Sequence, residues 1–219
     1  MKDLSITQEY LLCSLSDKGR LPVIGKEVPA CILAGGLIEL LLDGCIKMTD
    51  KESVDIVGAL NNEKGYLKSL YNWLYQYVPV KIEKIAREYC LTLTEKKMNE
   101  LVTDIGNSLV DRDCVTNVKG GFLAGKPRFV PNPMEVEKII QKIRAEILER
   151  GDMADETVAL VGLLEKSYQI KRYFSAYETG QLKARLKEIR EVPSNQLAKQ
   201  MVDYIDRISA VIAVITAVR

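Results

Sequence analysis

The 219-residue sequence contains no histidine. Imidazole is the usual general base near neutral pH and a frequent zinc ligand, so its absence excludes Ser-His-Asp and Cys-His nucleophile pairs and histidine-containing zinc sites. Carboxylate pairs such as Asp111/Asp113 are explained more simply as helix-cap and turn residues. We therefore expect no enzyme activity, no catalytic residue, no metal site and no cofactor.

Paired cysteines are also lacking. The five cysteines are odd in number, form no C-x-x-C motif and mostly have apolar neighbours. This pattern favours small, reduced core residues in a cytosolic protein over disulfides or a metal site. The cysteines are Cys13, Cys31, Cys45, Cys90 and Cys114.

Long hydrophobic runs are missing as well. The longest apolar stretch, residues 208–218, contains Ser209 and Thr216 and is about half of the ~20 residues that cross a bilayer. No apolar signal-peptide core follows Met1. We expect a cytoplasmic protein that does not span a membrane.

The remaining composition is that of a globular protein, with 47% hydrophobic and 28% charged residues. Lys and Arg number 31 against 30 Asp and Glu, a balance that disfavours a generally basic nucleic-acid-binding protein. No linker or internal repeat interrupts the chain, so we expect residues 1–219 to form one domain.

Helical periodicity dominates the sequence and predicts a mainly α fold with one or two short β-hairpins. Ser5 and Gln8 have capping-box spacing at the start of a helix over residues 4–16. Thr94 is the predicted cap of a later helix, and Asn132-Pro133 starts another. A short hairpin joins residues 45–48 to 54–57. The other predicted helices cover residues 30–43, 66–77, 80–90, 95–110, 132–150, 155–173, 180–190 and 194–218.

Glu39 is the one charge within the apolar run of the helix over residues 30–43. Neither a histidine nor a second carboxylate accompanies it within that apolar run. We interpret it as a carboxylate satisfied within the core or at its edge, not as a catalytic acid.

The segment between Asp113 and Glu135 contains no acidic residue. Residues 114–130 have strand-like ends around a glycine-rich turn, which predicts a second hairpin. Its cations are Lys119, Lys126 and Arg128, and its tip would carry Phe122 and Leu123.

Within this hairpin, Gly120 and Gly125-Lys126 have the spacing of a phosphate-binding P-loop. Pro127 stands where that motif needs a Ser or Thr for Mg²⁺, and Pro131 and Pro133 prevent the helix that would face the phosphates. The motif therefore does not predict nucleotide binding.

Three interpretations of the hairpin stay open on its residues alone: an ordinary surface excursion, a self-association edge and a membrane-contacting finger. Burial of Phe122 and Leu123 at the acyl boundary would contribute roughly 1.5–3 kcal/mol each. Each nearby Lys or Arg adds about 1 kcal/mol against an anionic leaflet. Together these terms suffice for weak, reversible membrane attachment.

Several segments, in this order, resemble the Golgi phosphoprotein 3 family, whose members dock on membranes by binding phosphatidylinositol 4-phosphate. They are residues 4–20 (LSITQEYLLCSLSDKGR), 34–46 (AGGLIELLLDGCI), 108–112 (SLVDR), 158–164 (VALVGLL) and the apolar C-terminal stretch. The resemblance implies a compact helical domain without enzymatic activity and a hydrophobic hairpin that contacts the bilayer or another protomer. The segments begin almost at Met1 without the basic tail of eukaryotic members, so we expect a minimal, bacterial type of member.

In eukaryotic members of that family, the headgroup pocket uses one tryptophan and three arginines. Here Ile24, Leu33, Asn99 and Val102 stand at those positions. Phosphorylated headgroups need several donors and cations, so we expect loose attraction to anionic lipid in place of specific phosphatidylinositol 4-phosphate recognition.

The leading prediction is a peripheral protein on the cytoplasmic face of a membrane that binds anionic lipid or phosphoinositide headgroups. The predicted binding residues are Lys26, Lys119, Phe122, Leu123, Lys126 and Arg128. We also expect Lys96 and Lys97 to share one face with these cations. The alternative is a soluble scaffold, such as a homo-oligomer, that associates through the same hairpin.

Overall fold

The protein is mainly α-helical, as predicted. A computed structural model describes residues 4–23, 25–49, 53–118, 128–148, 154–191, 203–207 and 210. Within these ranges the helices are α1 Ile6–Ser14, α2 Glu27–Leu42, α3 Lys68–Tyr77, α4 Ile82–Cys90, α5 Lys96–Val110, α6 Pro133–Leu148, α7 Asp155–Lys166 and α8 Ala176–Glu191, with 3₁₀ turns at Asn62–Leu67 and Gln169–Arg172. The strands are β1 Ile46–Met48, β2 Ser53–Ile56, β3 Val80–Lys81, β4 Val115–Val118 and β5 Arg128–Pro131.

Helix α1 lies at the centre of the core, and all nine of its residues are buried. It contacts α2, α5, α6 and α7. The predicted capping box is present, since the Ser5 hydroxyl accepts from the Gln8 N–H and the Gln8 side chain accepts from the Ser5 N–H. At the other end, Arg172 donates to the carbonyls of Cys13 and Leu15, which closes the helix. This helix can be buried on every side because its polar ends have partners.

The prediction that Glu39 is a carboxylate with hydrogen-bond partners in the core is confirmed. Its side chain is 2% exposed and accepts from the backbone N–H of Thr7 at 2.6 Å, the Lys64 ammonium at 3.1 Å and the Tyr66 hydroxyl at 2.7 Å. The pKa of Tyr66 is raised above its usual value, mainly by burial and to a smaller extent by the Glu39 charge. The carboxylate therefore ties α2 to the first turn of α1.

The first predicted hairpin is confirmed, with Ile46 paired to Ile56 and Met48 to Val54. Val80 pairs with Val54 and adds β3 to this sheet in the order β1-β2-β3. The prediction that a helix covers residues 80–90 is therefore wrong in its first two positions. Strand pairing with a residue 26 positions earlier outweighs the local helical periodicity there.

Three further helix boundaries differ from their predictions. Thr94 does not cap α5, because Glu95 at φ 48° occupies the N-cap position without a side-chain cap bond. Tyr168 at φ 61° follows α7, which ends at Lys166 well before the predicted residue 173. Helix α8 begins at Ala176, four residues before its predicted start. Of the predicted helix 194–218, residues 203–207 are helical and most others lie outside the described residues.

The cysteine prediction is confirmed, because all five are free and buried. All five belong to the buried apolar cluster that forms the core. Burial raises the pKa of the Cys31 and Cys90 thiols to about 12. These side chains are therefore packing residues without accessible thiolate.

Candidate functional site

The second predicted hairpin is confirmed in its two arms. Strands β4 and β5 pair antiparallel, from Val115 with Pro131 to Val118 with Arg128. Val115 and Phe129 are buried, whereas Val118 is exposed and Arg128 is half-buried. The predicted tip residues Lys119, Phe122, Leu123 and Lys126 lie between these arms in sequence and outside the described residues.

Close packing fixes the hairpin against α5 and against the loop after α1. The Phe129 ring lies on Gly106, where a Cβ would overlap the ring. Gly19, at φ +68°, faces the backbone of the same strand, and a Cβ there would stand 2.8 Å from the Phe129 carbonyl carbon. The two glycines let a helix and a loop approach one strand more closely than any other residue would allow.

The hairpin contacts the carboxyl-terminal part of α5. At its base, the Cys114 N–H donates to the Leu109 carbonyl at 2.9 Å, near the end of α5. Three residues further along β4, Asn117 pairs with Phe129, whose ring contacts Gly106. Both contacts thus involve the last third of α5.

Three of the predicted cations meet at the amino end of α5. The Lys26 ammonium binds the Glu95 carboxylate at 2.9 Å, with both side chains partly exposed. Lys96 and Lys97 follow Glu95 directly, and Lys96 is exposed. We call Lys26, Lys96 and Lys97 the lysine cluster.

Two members of the lysine cluster have carboxylate partners. Lys97 binds Glu88 at 2.5 Å and lies 5.9 Å from the centre of the Trp73 ring. Lys26 binds Glu95, as above. The cluster therefore carries less unbalanced charge than its three lysines suggest, and Arg128 belongs to strand β5 of the hairpin. The expectation that all six cations share one face stays a prediction, because Lys119 and Lys126 are not described.

The positions of the resembling family's headgroup pocket supply no cation here. Leu33 is fully buried inside α2, and Asn99 and Val102 are half-buried on α5. Ile24 lies outside the described residues.

Two exposed apolar residues border the lysine cluster and were not singled out from the sequence. Val23 is 94% exposed and Leu93 is 95% exposed. Each lies in a connection between helices, where aliphatic residues interspersed with Pro, Gly or Thr give no periodic signal. Their exposure could have been expected because neither residue belongs to a helical or strand pattern that would bury its side chain.

A second region with many charges lies beside the amino end of α1. It is a cavity of about 1240 Å³, whose buried carboxylates are Glu9 and Glu39. Lys142 binds Glu9 at 2.6 Å and Lys64 binds Glu39 at 3.1 Å. These ion pairs hold structural elements together. In the described parts of the chain no group of three or more Cys, Asp or Glu side chains could hold a metal ion.

None of the helices in the described ranges combines the length and apolar character needed to cross a bilayer. No curated protein matches the chain. The family model for Golgi phosphoprotein 3 (GPP34) matches residues 6–208, which include α1, the hairpin, the lysine cluster and α8. Membership of that family favours a lipid-binding, non-catalytic role in general. The chain belongs to the Golgi phosphoprotein 3 (GPP34) family.

Proposed function

We propose that this chain is a non-catalytic peripheral membrane protein of the cytoplasmic face, acting as one domain over residues 1–219. It binds anionic lipid headgroups through the tip of the second hairpin and through the lysine cluster. The observation that carries the proposal is the hairpin: in a chain of this family, its strand β5 packs tightly on Gly106 of α5 and on Gly19.

Rigid attachment of the hairpin supports this role. A finger that inserts apolar side chains must transmit that binding energy to the rest of the protein, and the Phe129 contacts with Gly106 and Gly19 provide such a connection. Phe122 and Leu123 supply the apolar surface, worth roughly 1.5–3 kcal/mol each on full burial. The absence of acidic residues between Asp113 and Glu135 removes repulsion from lipid phosphates.

The lysine cluster supports a preference for negative charge. Lys96 is exposed, and Lys26 and Lys97 can exchange or share their carboxylate partners with a headgroup because all four side chains are partly exposed. Helices α2 and α5 both begin here without a side-chain cap bond, so their first N–H groups add to the positive potential. Lys119, Lys126 and Arg128 contribute further positive charge from the hairpin.

Binding is expected to depend on charge and not on the position of one phosphate. Leu33, Asn99 and Val102 offer a headgroup no guanidinium fork. A specific phosphatidylinositol 4-phosphate pocket needs several such donors at fixed positions. We therefore propose general affinity for anionic lipid, including phosphoinositides, without selectivity for one of them.

Vesicle co-sedimentation tests the proposal. Wild-type protein should pellet with phosphatidylcholine vesicles that contain phosphatidylserine, and equally with vesicles of the same charge that contain phosphatidylinositol 4-phosphate. It should not pellet with phosphatidylcholine alone. The variant Phe122→Asp with Lys126→Glu should lose most of this binding.

The matched control is Tyr177→Asp with Lys187→Glu, which makes the same charge change at two exposed positions of α8. Equal pelleting with neutral and anionic vesicles, or equal loss in both variants, would overturn the proposal. If the hairpin variant instead keeps lipid binding and loses a dimer in sedimentation equilibrium, the hairpin serves self-association.

A further inference from the structure

Strand β5 of the second hairpin is held from two sides. The Phe129 ring lies on Gly106 of α5, and the backbone from Phe129 to Val130 lies on Gly19. Gly106 is part of a long helix of the core. Gly19 lies in the connection after α1, and residues 15–23 of this connection contain neither helix nor strand. The position of Gly19 must therefore be fixed by other contacts.

The turn that carries Gly19 is closed by its own hydrogen bonds. The Ser16 N–H donates to the Arg20 carbonyl at 2.9 Å, and the Gly19 N–H donates to the Ser16 carbonyl at 2.8 Å. The Ser16 hydroxyl accepts from the Arg20 N–H at 3.1 Å. Residues 16–20 thus hold their own shape. The nearest element that can hold their place against β5 is the end of α1, at Leu15.

Arg172 holds the end of α1. It lies in the 3₁₀ turn after α7, and its two terminal nitrogens donate to different carbonyls, one to Cys13 at 3.1 Å and the other to Leu15 at 2.9 Å. The Tyr173 hydroxyl donates to the same Cys13 carbonyl at 2.6 Å. Carbonyls at the end of a helix have no partner within it. A segment 159 positions later in the sequence therefore fixes the point from which the turn extends.

The guanidinium of Arg172 suits this task. Its planar fork presents separate N–H donors to two acceptors, whereas a lysine ammonium is a single point of charge on a flexible stem. Its charge also lies at the carboxyl end of α1, where the helix dipole favours a cation. Gln169 accepts from the same guanidinium at 2.9 Å, which orients it further. Because Arg172 is exposed, its replacement creates no cavity in the core.

We propose that Arg172 is a positioning residue for the second hairpin, which acts through Leu15 and the turn of residues 16–20 to hold Gly19 against β5. This role rests on the proposed function, in which the hairpin transmits membrane attachment to the rest of the protein. Arg172 adds to that function a residue outside the hairpin on which the attachment of arms β4 and β5 depends.

Hydrogen exchange of backbone amides tests this role without lipid. In Arg172→Met, the amides of residues 116–118 and 128–130 should exchange about tenfold faster than in the wild type, because hydrogen bonds from a charged donor are lost. The amides of β1 and β2 lie in the other sheet and should keep their wild-type rates. Arg172→Lys retains the charge without the fork and should show a smaller increase.

Arg87→Met is the matched control, since it removes an exposed arginine whose partner Glu83 lies on the same helix, α4. It should leave exchange in both sheets unchanged. If Arg172→Met accelerates exchange equally in both sheets, Arg172 only stabilises the fold and the positioning role is refuted. Unchanged exchange in β4 and β5 would refute it as well.

Vesicle binding separates this role from the proposed function. Arg172→Met should bind phosphatidylserine-containing vesicles more weakly than Arg87→Met, although each variant lacks one positive charge. Equal binding of the two variants would refute a contribution of Arg172 to lipid binding. If wild-type protein binds no anionic vesicles, the proposed function fails, whereas faster exchange confined to β4 and β5 would still support the positioning of the hairpin by Arg172.

Discussion

The ring of Phe129 on β5 occupies the space that a side chain at Gly106 of α5 would fill. This contact connects the hairpin to the core, because Phe129 is the buried residue at the centre of its strand. A methyl group at position 106 would have to displace the ring and, with it, the strand.

Gly106→Ala is therefore expected to destabilise the protein by about 1–3 kcal/mol, although alanine is the better helix former. Urea unfolding measures the change. Gly180→Ala on α8 is the control, since no atom beyond its chain neighbours and its own helix backbone lies within 4 Å of a Cβ there, and it should stabilise the protein by roughly 0.5–1 kcal/mol. If both substitutions stabilise, the strand adapts without cost and the anchoring role of Gly106 is wrong.

Glu39 should be sensitive to substitution because it accepts three hydrogen bonds while almost fully buried. Glu39→Leu leaves the Thr7 N–H and the Tyr66 hydroxyl without their acceptor and should cost about 3 kcal/mol. Glu39→Gln keeps one acceptor oxygen and should cost less. Glu83→Gln, which breaks an exposed ion pair on α4, should change stability by less than about 0.5 kcal/mol. Equal effects in urea unfolding at both sites would contradict the structural role of Glu39.

The carboxylate of Glu178 predicts a pH dependence of stability. The backbone N–H of Ser175, followed by the Arg144 guanidinium, lowers its pKa from 4.5 to about 2. A lowered folded-state pKa means that the carboxylate stabilises the protein above pH 4.5 and that this contribution disappears as the pH falls toward 2. The melting temperatures of wild type and Glu178→Gln should thus differ by a constant amount above about pH 5.5 and converge in acid. A difference that stays constant down to pH 2 would be inconsistent with this assignment.

The five cysteines should be unreactive in the folded protein. Burial raises the pKa of Cys31 and Cys90 to about 12 and raises that of Cys13 as well, so little thiolate forms and reagents cannot reach it. Ellman's reagent at pH 8 should therefore titrate all five thiols only in denaturant. A thiol that reacts rapidly in native buffer would show that at least one of them is accessible.

Glu95 is expected to weaken lipid binding by engaging Lys26. Glu95→Gln removes one negative charge beside the lysine cluster and should raise affinity for phosphatidylserine-containing vesicles about fivefold, as one added positive charge near the surface would. The control is Glu188→Gln, which breaks the exposed pair with Arg185 on α8 and should leave affinity unchanged. Equal effects of the two substitutions would mean that only net charge matters and that the lysine cluster has no special position.

Local signals predicted much of the fold. The Ser5/Gln8 capping box and the Asn132-Pro133 start are both observed, with the Met134 N–H donating to the Asn132 side chain at 3.0 Å. These features depend on residues a few positions apart, so the sequence displays them directly. Glu39 was also interpreted correctly, because a lone charge in an apolar helix needs partners whichever elements provide them.

Predictions failed where a distant contact or an unusual backbone conformation decided the outcome. Val80 is in a strand because Val54 is beside it, and α5 starts after Glu95 at a positive φ angle in place of a threonine cap. The candidate site likewise has one part that the local sequence predicts and one part that depends on a distant contact. The hairpin arms were predictable from alternation and glycine, whereas the Lys26–Glu95 pair joins residues 69 positions apart.

Composition and short-range periodicity were enough to predict the helical class, the reduced buried cysteines, the lack of histidine chemistry and the charge segregation around residues 114–134. Only the tertiary contacts place β5 on Gly106 and Gly19, pair Lys26 before α2 with Glu95 before α5, and leave Val23 and Leu93 exposed. Burial and ion pairing depend on which distant surfaces come together when the core excludes water, and no local pattern of residues encodes that choice.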